Sequence, residues 1–475
     1  MRRIKFPFAA AGLIVILLVA GCNPAVQGTQ TPNLSLTETI VATVEPVSTG
    51  TPTAIPDLPV KVTSQVVVSD VLGNTHILGE VLNGSESPVE AIQLTVIALN
   101  AAGASLLQSE TGEPVQEVAF SPLISTLATG QSAPFDFALP GGSAIPAVFQ
   151  VFVTSFQPST ANLQTLQIEN TQVMSGENGE AVLVGELVNP NPVSVSIQGL
   201  AAKLKDGSNA LVSTGGAGLS AGLLLPAGDT SLLNRTPFKI PFYAALPPGG
   251  SWQVFVDAID SGTAAEIDTT QLAIDQSFTY YEDARGTSHL VSSIKNPFER
   301  AFSVQLVAGL YGGTGSVMDM SLLAIPLDLQ PGEELPFDVH DFLLVNGKPD
   351  LLAKLDAFTL QVDPSRTVVS TRVWTGVEVE NEQEEQGEKG VWTFSGRVTN
   401  TGSAEIDRFV VMATLTSHST GKVVAVTTTT LLNPAGRIAQ GMAMDYKVEV
   451  LADPLESQEL DPVVKVYAAT DQPGG

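Results

Sequence analysis

GEVLNGSESPVEAIQLTVIALNAAG (79–103), GELVNPNPVSVSIQGLAAKLKDG (185–207), SSIKNPFERAFSVQLVAGLYGGTG (292–315) and GRVTNTGSAEIDRFVVMATLTSHSTG (396–421) are four versions of one pattern. Each runs from a short strand to an asparagine, through a polar or proline turn, and into an alternating strand that stops at a glycine turn. The asparagines are Asn83, Asn189, Asn296 and Asn400, spaced 106, 107 and 104 residues apart. So constant a period marks tandem units. In the third copy Phe302, Val304, Leu306, Ala308 and Leu310 alternate without a break, and in the fourth Phe409, Val411, Ala413 and Leu415 do the same. Period two is the signature of a half-buried strand. In the second copy Val193, Val195 and Ile197 are in phase, but Leu200, Ala202 and Leu204 are shifted by one. A one-residue slip would turn the buried set outward, so the sequence predicts a β-bulge near Gly199. The first and fourth copies slip similarly, between Val89 and Ile92 and between Ile406 and Phe409.

Working outward, each asparagine is preceded by a hairpin whose loop varies: GN (73–74), SGEN (175–178), EDARG (282–286) and NEQEEQGEKG (381–390). Each copy continues to a glycine turn at Gly130, Gly228, Gly332 or Gly436. An aromatic-bearing strand follows, with Phe135 and Phe137, Phe238, Phe337, or Tyr446. Each closes on a further strand: 148–156, 252–259, 357–363 or 463–470. About seven short strands per hundred residues, with turn signals between them, give an antiparallel β-sandwich. The expected fold is therefore all-β: four tandem immunoglobulin-like sandwiches over 61–158, 162–262, 264–366 and 368–471. Short helical turns are expected only at 349–355 and 453–459.

The pattern strand–Asn–turn–alternating strand, then Pro-Gly and Phe, resembles the FxLYD family of immunoglobulin-like bacterial domains. The fullest matches are Ala308-Gly-Leu-Tyr311, Leu204-Lys-Asp206-Gly207, and Gln330-Pro-Gly332 with Phe337. The fourth copy has Leu415-Thr-Ser417 where Leu-Tyr-Asp would stand, so the resemblance rests on spacing there. It spans nearly all of 61–471 and implies a cell-envelope domain with no established activity.

Ahead of the repeats, Arg2, Arg3 and Lys5 precede the apolar run FPFAAAGLIVILLVA (6–20), which is short for a bilayer span but suits a signal-peptide h-region. The run ends in Leu18-Val19-Ala20-Gly21-Cys22, which resembles the lipobox of bacterial lipoproteins. That resemblance implies removal of a signal peptide over 1–21 and a covalent diacylglycerol on Cys22. Two or three acyl chains anchor a protein stably, at about 0.8 kcal/mol per buried CH₂. Residues 22–60 then read as a Thr/Pro-rich disordered spacer, about 115 Å long if fully polyproline-like. The expected location is the outer face of the bacterial cytoplasmic membrane, or cell surface, held by lipid.

Composition narrows the function. The 475 residues carry 22 Lys+Arg against 49 Asp+Glu, a net charge of −27, which argues against nucleic acid or anionic headgroups as partners. The single cysteine excludes an internal disulfide, and with four scattered histidines it argues against a Cys/His zinc site. Gly218-Leu-Ser220-Ala-Gly222 fits G-x-S-x-G, but lies among glycines with no strand-to-helix turn and is missing from the sister copies. Ser292-Ser-Ile-Lys295 fits S-x-x-K, yet residues three apart on a strand face opposite ways. No catalytic residue is assigned, and the chain is read as not an enzyme. Metal candidates are the acidic run Glu378, Glu380, Glu382, Glu384, Glu385 and Glu388 as a Ca²⁺ loop, and Asp257, Asp260 and Asp268 at a junction. Both are set below a solvated hairpin tip and ordinary surface acids. His76 and His289 fall at equivalent points, and with no His-x-His or His-x₃-His spacing among them His76, His289, His340 and His418 are all expected as exposed hairpin residues rather than metal ligands. Tyr280-Tyr281 is expected to leave an exposed patch, since adjacent strand residues point to opposite faces. The function expected is a lipid-anchored, non-catalytic binding, adhesion or spacer protein, an elongated monomer meeting an envelope protein or polysaccharide. The alternatives are a calcium-stabilised adhesin and an accessory or sensor part of an extracellular hydrolase.

Overall fold

The computed structural model describes residues 58–109, 111–217, 223–227, 234–262, 271–363, 366–388, 390–453 and 459–470. The expected signal peptide, Cys22, most of the expected spacer, the Ser220 motif, Gly228, Asp268 and most of the second expected helical turn lie outside them. The described chain is built of antiparallel strands, with one helix of four residues, Pro349–Leu352, inside the first expected helical turn.

Each repeat contributes two main sheets, and the first and third each add a two-stranded one, Leu107–Gln108 with Pro114–Val115 and Phe302–Ser303 with Val368–Val369. One centres on the strand leading to the asparagine: Thr75–Asn83, Ala181–Val188, Ser288–Lys295 or Val391–Asn400. It pairs on one side with its hairpin partner and on the other with the aromatic strand, Ser132–Ala138, Arg235–Pro241, Glu334–Val339 or Ala443–Leu451. The other sheet centres on the alternating strand, Val89–Leu99, Val195–Lys205, Gln305–Gly312 or Arg408–Ser417. That strand pairs with the closing strand, Val148–Pro158, Ser251–Asp260, Leu355–Val362 or Leu460–Thr470. The inner faces of the two sheets supply the buried apolar side chains, and the largest cores segregate by repeat.

Two of the three expected slips are register irregularities, while in the fourth repeat Arg408–Ser417 pairs with Leu460–Thr470 without a shift. The register of Val195–Lys205 against Ser251–Asp260 shifts between Ile197 and Gly199. In the first repeat it shifts between Glu90 and Leu94, with Ala91 at φ 51°.

The asparagines tie each sandwich at one end. Asn83 Nδ2 donates to the carbonyls of Ser87, Leu127 and Ala128, and Asn400 Nδ2 to those of Ala404 and Ile438. Asn189 and Asn296 repeat the arrangement, and all four are fully buried. Opposite each asparagine strand an aromatic ring covers a small residue: Phe135 pairs Gly79, Phe238 pairs Gly185, Phe337 pairs Ser292 and Tyr446 pairs Gly396. A Cβ on Gly79 would stand 2.1 Å from Ser64 O and 2.3 Å from the Phe135 ring, so no larger residue fits.

Neighbouring repeats meet through their outer sheet faces. Ala201 and Phe255 of the second repeat pack on the first core, and Lys203 pairs with Glu80 at 2.6 Å. Val182 and Val184 of the second pack with Tyr311, Val317 and Leu344 of the third. There Lys239 binds the fully buried Asp319 at 2.9 Å, and Tyr311 OH donates to Glu186 at 2.9 Å. Val410 and Met412 of the fourth repeat join the third core, while Tyr281 and Val291 of the third join the fourth.

This packing corrects two expectations. Tyr281 is buried rather than exposed, because the outer face it occupies is covered by the fourth repeat, where its hydroxyl donates to Leu451 O at 2.6 Å. Tyr280 turns the other way, onto its own core. His76 and His289 are also buried, at 5% and 7% exposure, because the hairpins that carry them are covered by the next repeat.

Candidate functional site

The site begins with a hairpin turn that occurs twice. Asp70-Val-Leu-Gly73-Asn-Thr-His76 and Asp283-Ala-Arg-Gly286-Thr-Ser-His289 share the order Asp-x-x-Gly-x-x-His. Asp283 Oδ1 accepts the backbone N–H groups of Arg285 (2.8 Å) and Thr287 (2.9 Å), and Asp70 Oδ1 those of Leu72 (2.9 Å) and Asn74 (2.7 Å). This aspartate closure is a turn that short acidic side chains favour, with glycine supplying the positive φ, 80° at Gly286 and 84° at Gly73. Three residues beyond the glycine, the histidine stands on the outer face of the sheet, under the turn aspartate.

A second aspartate reaches each ring from the aromatic strand. Phe135-Asp136 and Phe337-Asp338 place the ring inward and the carboxylate outward, because neighbouring strand residues alternate. His76 Nδ1 lies 2.8 Å from Asp136 Oδ1, and its Nε2 3.5 Å from Asp70 Oδ2. His289 Nδ1 lies 2.6 Å from Asp338 Oδ2, and its Nε2 3.3 Å from Asp283 Oδ2. Each ring also stacks on a tyrosine: His76 on Tyr243 of the second repeat at 5.1 Å, His289 on Tyr281 at 4.7 Å. The hydrogen bond that Asp136 accepts from the ring holds the His76 imidazole above its ordinary pKa, against the opposing effect of burial.

The two copies differ at one position. His76 lies opposite Ala138 across the sheet. In the third repeat Leu290 pairs Val339, which sets His289 opposite His340. The His340 ring centroid is 5.7 Å from that of His289, and its Nδ1 is 3.5 Å from Asp338 Oδ2. The Asp338 carboxylate holds His340 above the ordinary histidine pKa. These side chains line a cleft of about 360 Å³ between the third and fourth repeats, closed on the far side by Met412, Glu449 and Leu451. Across it Arg285 pairs with Glu449 at 3.1 Å.

The other candidates do not converge. Glu378, Glu380, Glu382, Glu384 and Glu385 lie not in a loop but on a strand, Val377–Gln386, and Glu388 stands beyond its end. Its carboxylates therefore spread along both faces of an edge. Burial, helped by the Glu382 carboxylate that accepts from Tyr446 OH, pushes the phenol up to about 12. Asp257 is buried and accepts from Ser125 Oγ and Thr126 N of the first repeat, both at 2.9 Å, while Asp260 accepts from Asn162. His418 is exposed, as expected, and pairs with Asp461 at 3.0 Å.

Sequence reasoning placed His76 and His289 at equivalent points but missed their aspartates. The signal was present as Asp-x-x-Gly-x-x-His followed by Phe-Asp in the first and third repeats only. The chain matches no protein-family model and no curated protein.

Proposed function

We propose that this chain is a lipid-anchored, non-catalytic protein of the bacterial cell surface, a binding or spacer body carried above the membrane. In this reading a diacylglycerol on Cys22 holds the chain, residues 22–60 form a tether, and four FxLYD-like immunoglobulin sandwiches carry the body. The observation that supports it best is the burial of outer sheet faces between repeats. Val184, Val291 and Val410 are fully buried although they lie on faces that a lone sandwich would expose to water. Apolar outer faces and charge pairs at the junctions join successive repeats into a continuous body, as a spacer requires. The remaining outer surfaces would then meet an envelope protein or polysaccharide. Among the described residues no helix is long and apolar enough to cross a membrane.

Fractionation of cells expressing the full chain tests this reading. Wild-type protein should remain with membranes after a high-salt wash, and Cys22→Ser should leave it unprocessed or release it. Normal anchoring and processing of Cys22→Ser would refute the lipid attachment. Capture from envelope extract, with the mature chain as bait, then looks for the partner.

A further inference from the structure

We propose that His289, Asp338 and His340 bind a divalent transition-metal ion of the zinc class, with one coordination position open to the cleft between the third and fourth repeats. The ligand atoms of these three residues lie within 4.8 Å of one another, the one such group of three among the described residues. Two imidazole nitrogens and one carboxylate oxygen are a borderline donor set that suits Zn²⁺ and its neighbours better than Ca²⁺ or Mg²⁺. Ligands at the usual zinc distances stand about 3.3 Å apart around a tetrahedral ion. Asp338 Oδ2 already lies 2.6 Å from His289 Nδ1 and 3.5 Å from His340 Nδ1. A metal would take the place of the proton shared by His289 and Asp338. His340 is half-exposed and closes the remaining gap by a side-chain rotation.

One further observation points to an ion. Asp338 Oδ1 is a buried polar atom without a hydrogen-bond partner, on a residue more than nine-tenths buried, whereas neither oxygen of its first-repeat counterpart Asp136 is stranded in this way. Such atoms are costly unless something satisfies them. An ion would use the carboxylate. It would also fix the His289 tautomer, so that Nε2–H points at Asp283 Oδ2, 3.3 Å away. A carboxylate behind a ligating histidine is the usual support for such a ring. Three protein ligands leave a four-coordinate ion one vacancy, as in zinc sites that bind an exogenous group. Here the vacancy faces the cleft, where a carboxylate or water could enter beside Arg285.

The first repeat is an internal control, since it has the turn aspartate, the buried histidine and the strand aspartate but Ala138 in place of His340. The inference does not depend on how the chain is held at a membrane. The test is Zn²⁺ titration of the purified full chain against a chromophoric chelator, with Co²⁺ absorption as the spectroscopic readout. Wild-type protein should take up one equivalent tightly and give a visible Co²⁺ ligand-field band. D283N, which keeps the turn acceptor, should weaken binding by about 10–100-fold. H340A, which copies the first repeat, should weaken it further while leaving the metal-free melting temperature and circular dichroism unchanged. A138H, at an exposed position, should add a second equivalent. Tight binding that survives H340A overturns the proposal. So does wild-type uptake that is only weak and multi-site, as its exposed carboxylates alone would give. A count left at one in A138H contradicts the claim that the residue opposite the buried histidine decides binding.

Discussion

An asparagine amide offers two donors and one acceptor in a fixed plane, and the four repeat asparagines spend them on backbone. In Asn400 the amide nitrogen donates to Ala404 O (2.9 Å) and Ile438 O (3.1 Å), while its oxygen accepts from Gly402 N (3.0 Å). Aspartate has the same shape and no donor, so Asn400→Asp would aim a carboxylate at two carbonyls in a buried site. The expected cost is about 2–4 kcal/mol, read as a fall in the urea midpoint, because two buried acceptors lose their partners. A loss under about 0.5 kcal/mol would show that the amide carries little. His76 makes a pH-dependent prediction. Its folded pKa lies above the unfolded value, so its stabilisation is complete below about pH 6.5 and is lost as pH rises through the folded pKa. Asp136, Asp70 and Tyr243 face the ring. The stability difference between wild type and His76→Gln should therefore shrink from about pH 5 to 8. A difference that grows over that range would contradict the assignment.

Strands show what the sequence could and could not disclose. Period two reports one buried face, and it placed the alternating strands and the Gly199 bulge because those depend on the inner face alone. It was silent about the outer face, whose fate depends on a repeat some hundred residues away. Ala181–Val188 and Arg408–Ser417 are buried almost throughout, since a neighbouring sheet covers them. Val391–Asn400, whose outer face has no repeat against it, keeps its alternation. Tyr281, His76 and His289 were misplaced for this reason. The acidic run was misread because Glu and Gln disfavour strands by local propensity, while pairing with Val391–Asn400 overrode it. Across the second junction the facing strands carry a buried charge pair, Lys239 with Asp319, where two backbone N–H groups also reach the carboxylate. Removing one partner leaves the other charge stranded. Lys239→Ala should cost about 3 kcal/mol, and Asp319→Asn should cost much less in the Lys239→Ala background than alone. Additive losses in a denaturant double-mutant cycle would show that the pair is uncoupled.

At the scale of the whole molecule, the repeats differ from beads on a string. Residues of one repeat complete the core of the next at the first and third junctions, and a separate apolar cluster bridges the second. The two candidate histidine sites sit at such junctions, so metal or proton binding there acts on the contact between repeats. The strand pattern was legible because each copy of the sequence pattern keeps its own inner face. The junctions were not, because each is made of different residues: Glu80 with Lys203, Lys239 with Asp319, and Tyr281 with Leu451. Thiol labelling decides whether the outer faces are covered in solution. In a Cys22→Ser background, single cysteines replace Val184, Val291 or Arg397, the last an exposed site on the uncovered face of the fourth repeat. Stacked repeats predict that R397C labels at the rate of a free thiol and that V184C and V291C label slower by about 100-fold or more under native conditions. Equal labelling of all three, in protein whose circular dichroism matches wild type, would mean that the repeats stand apart.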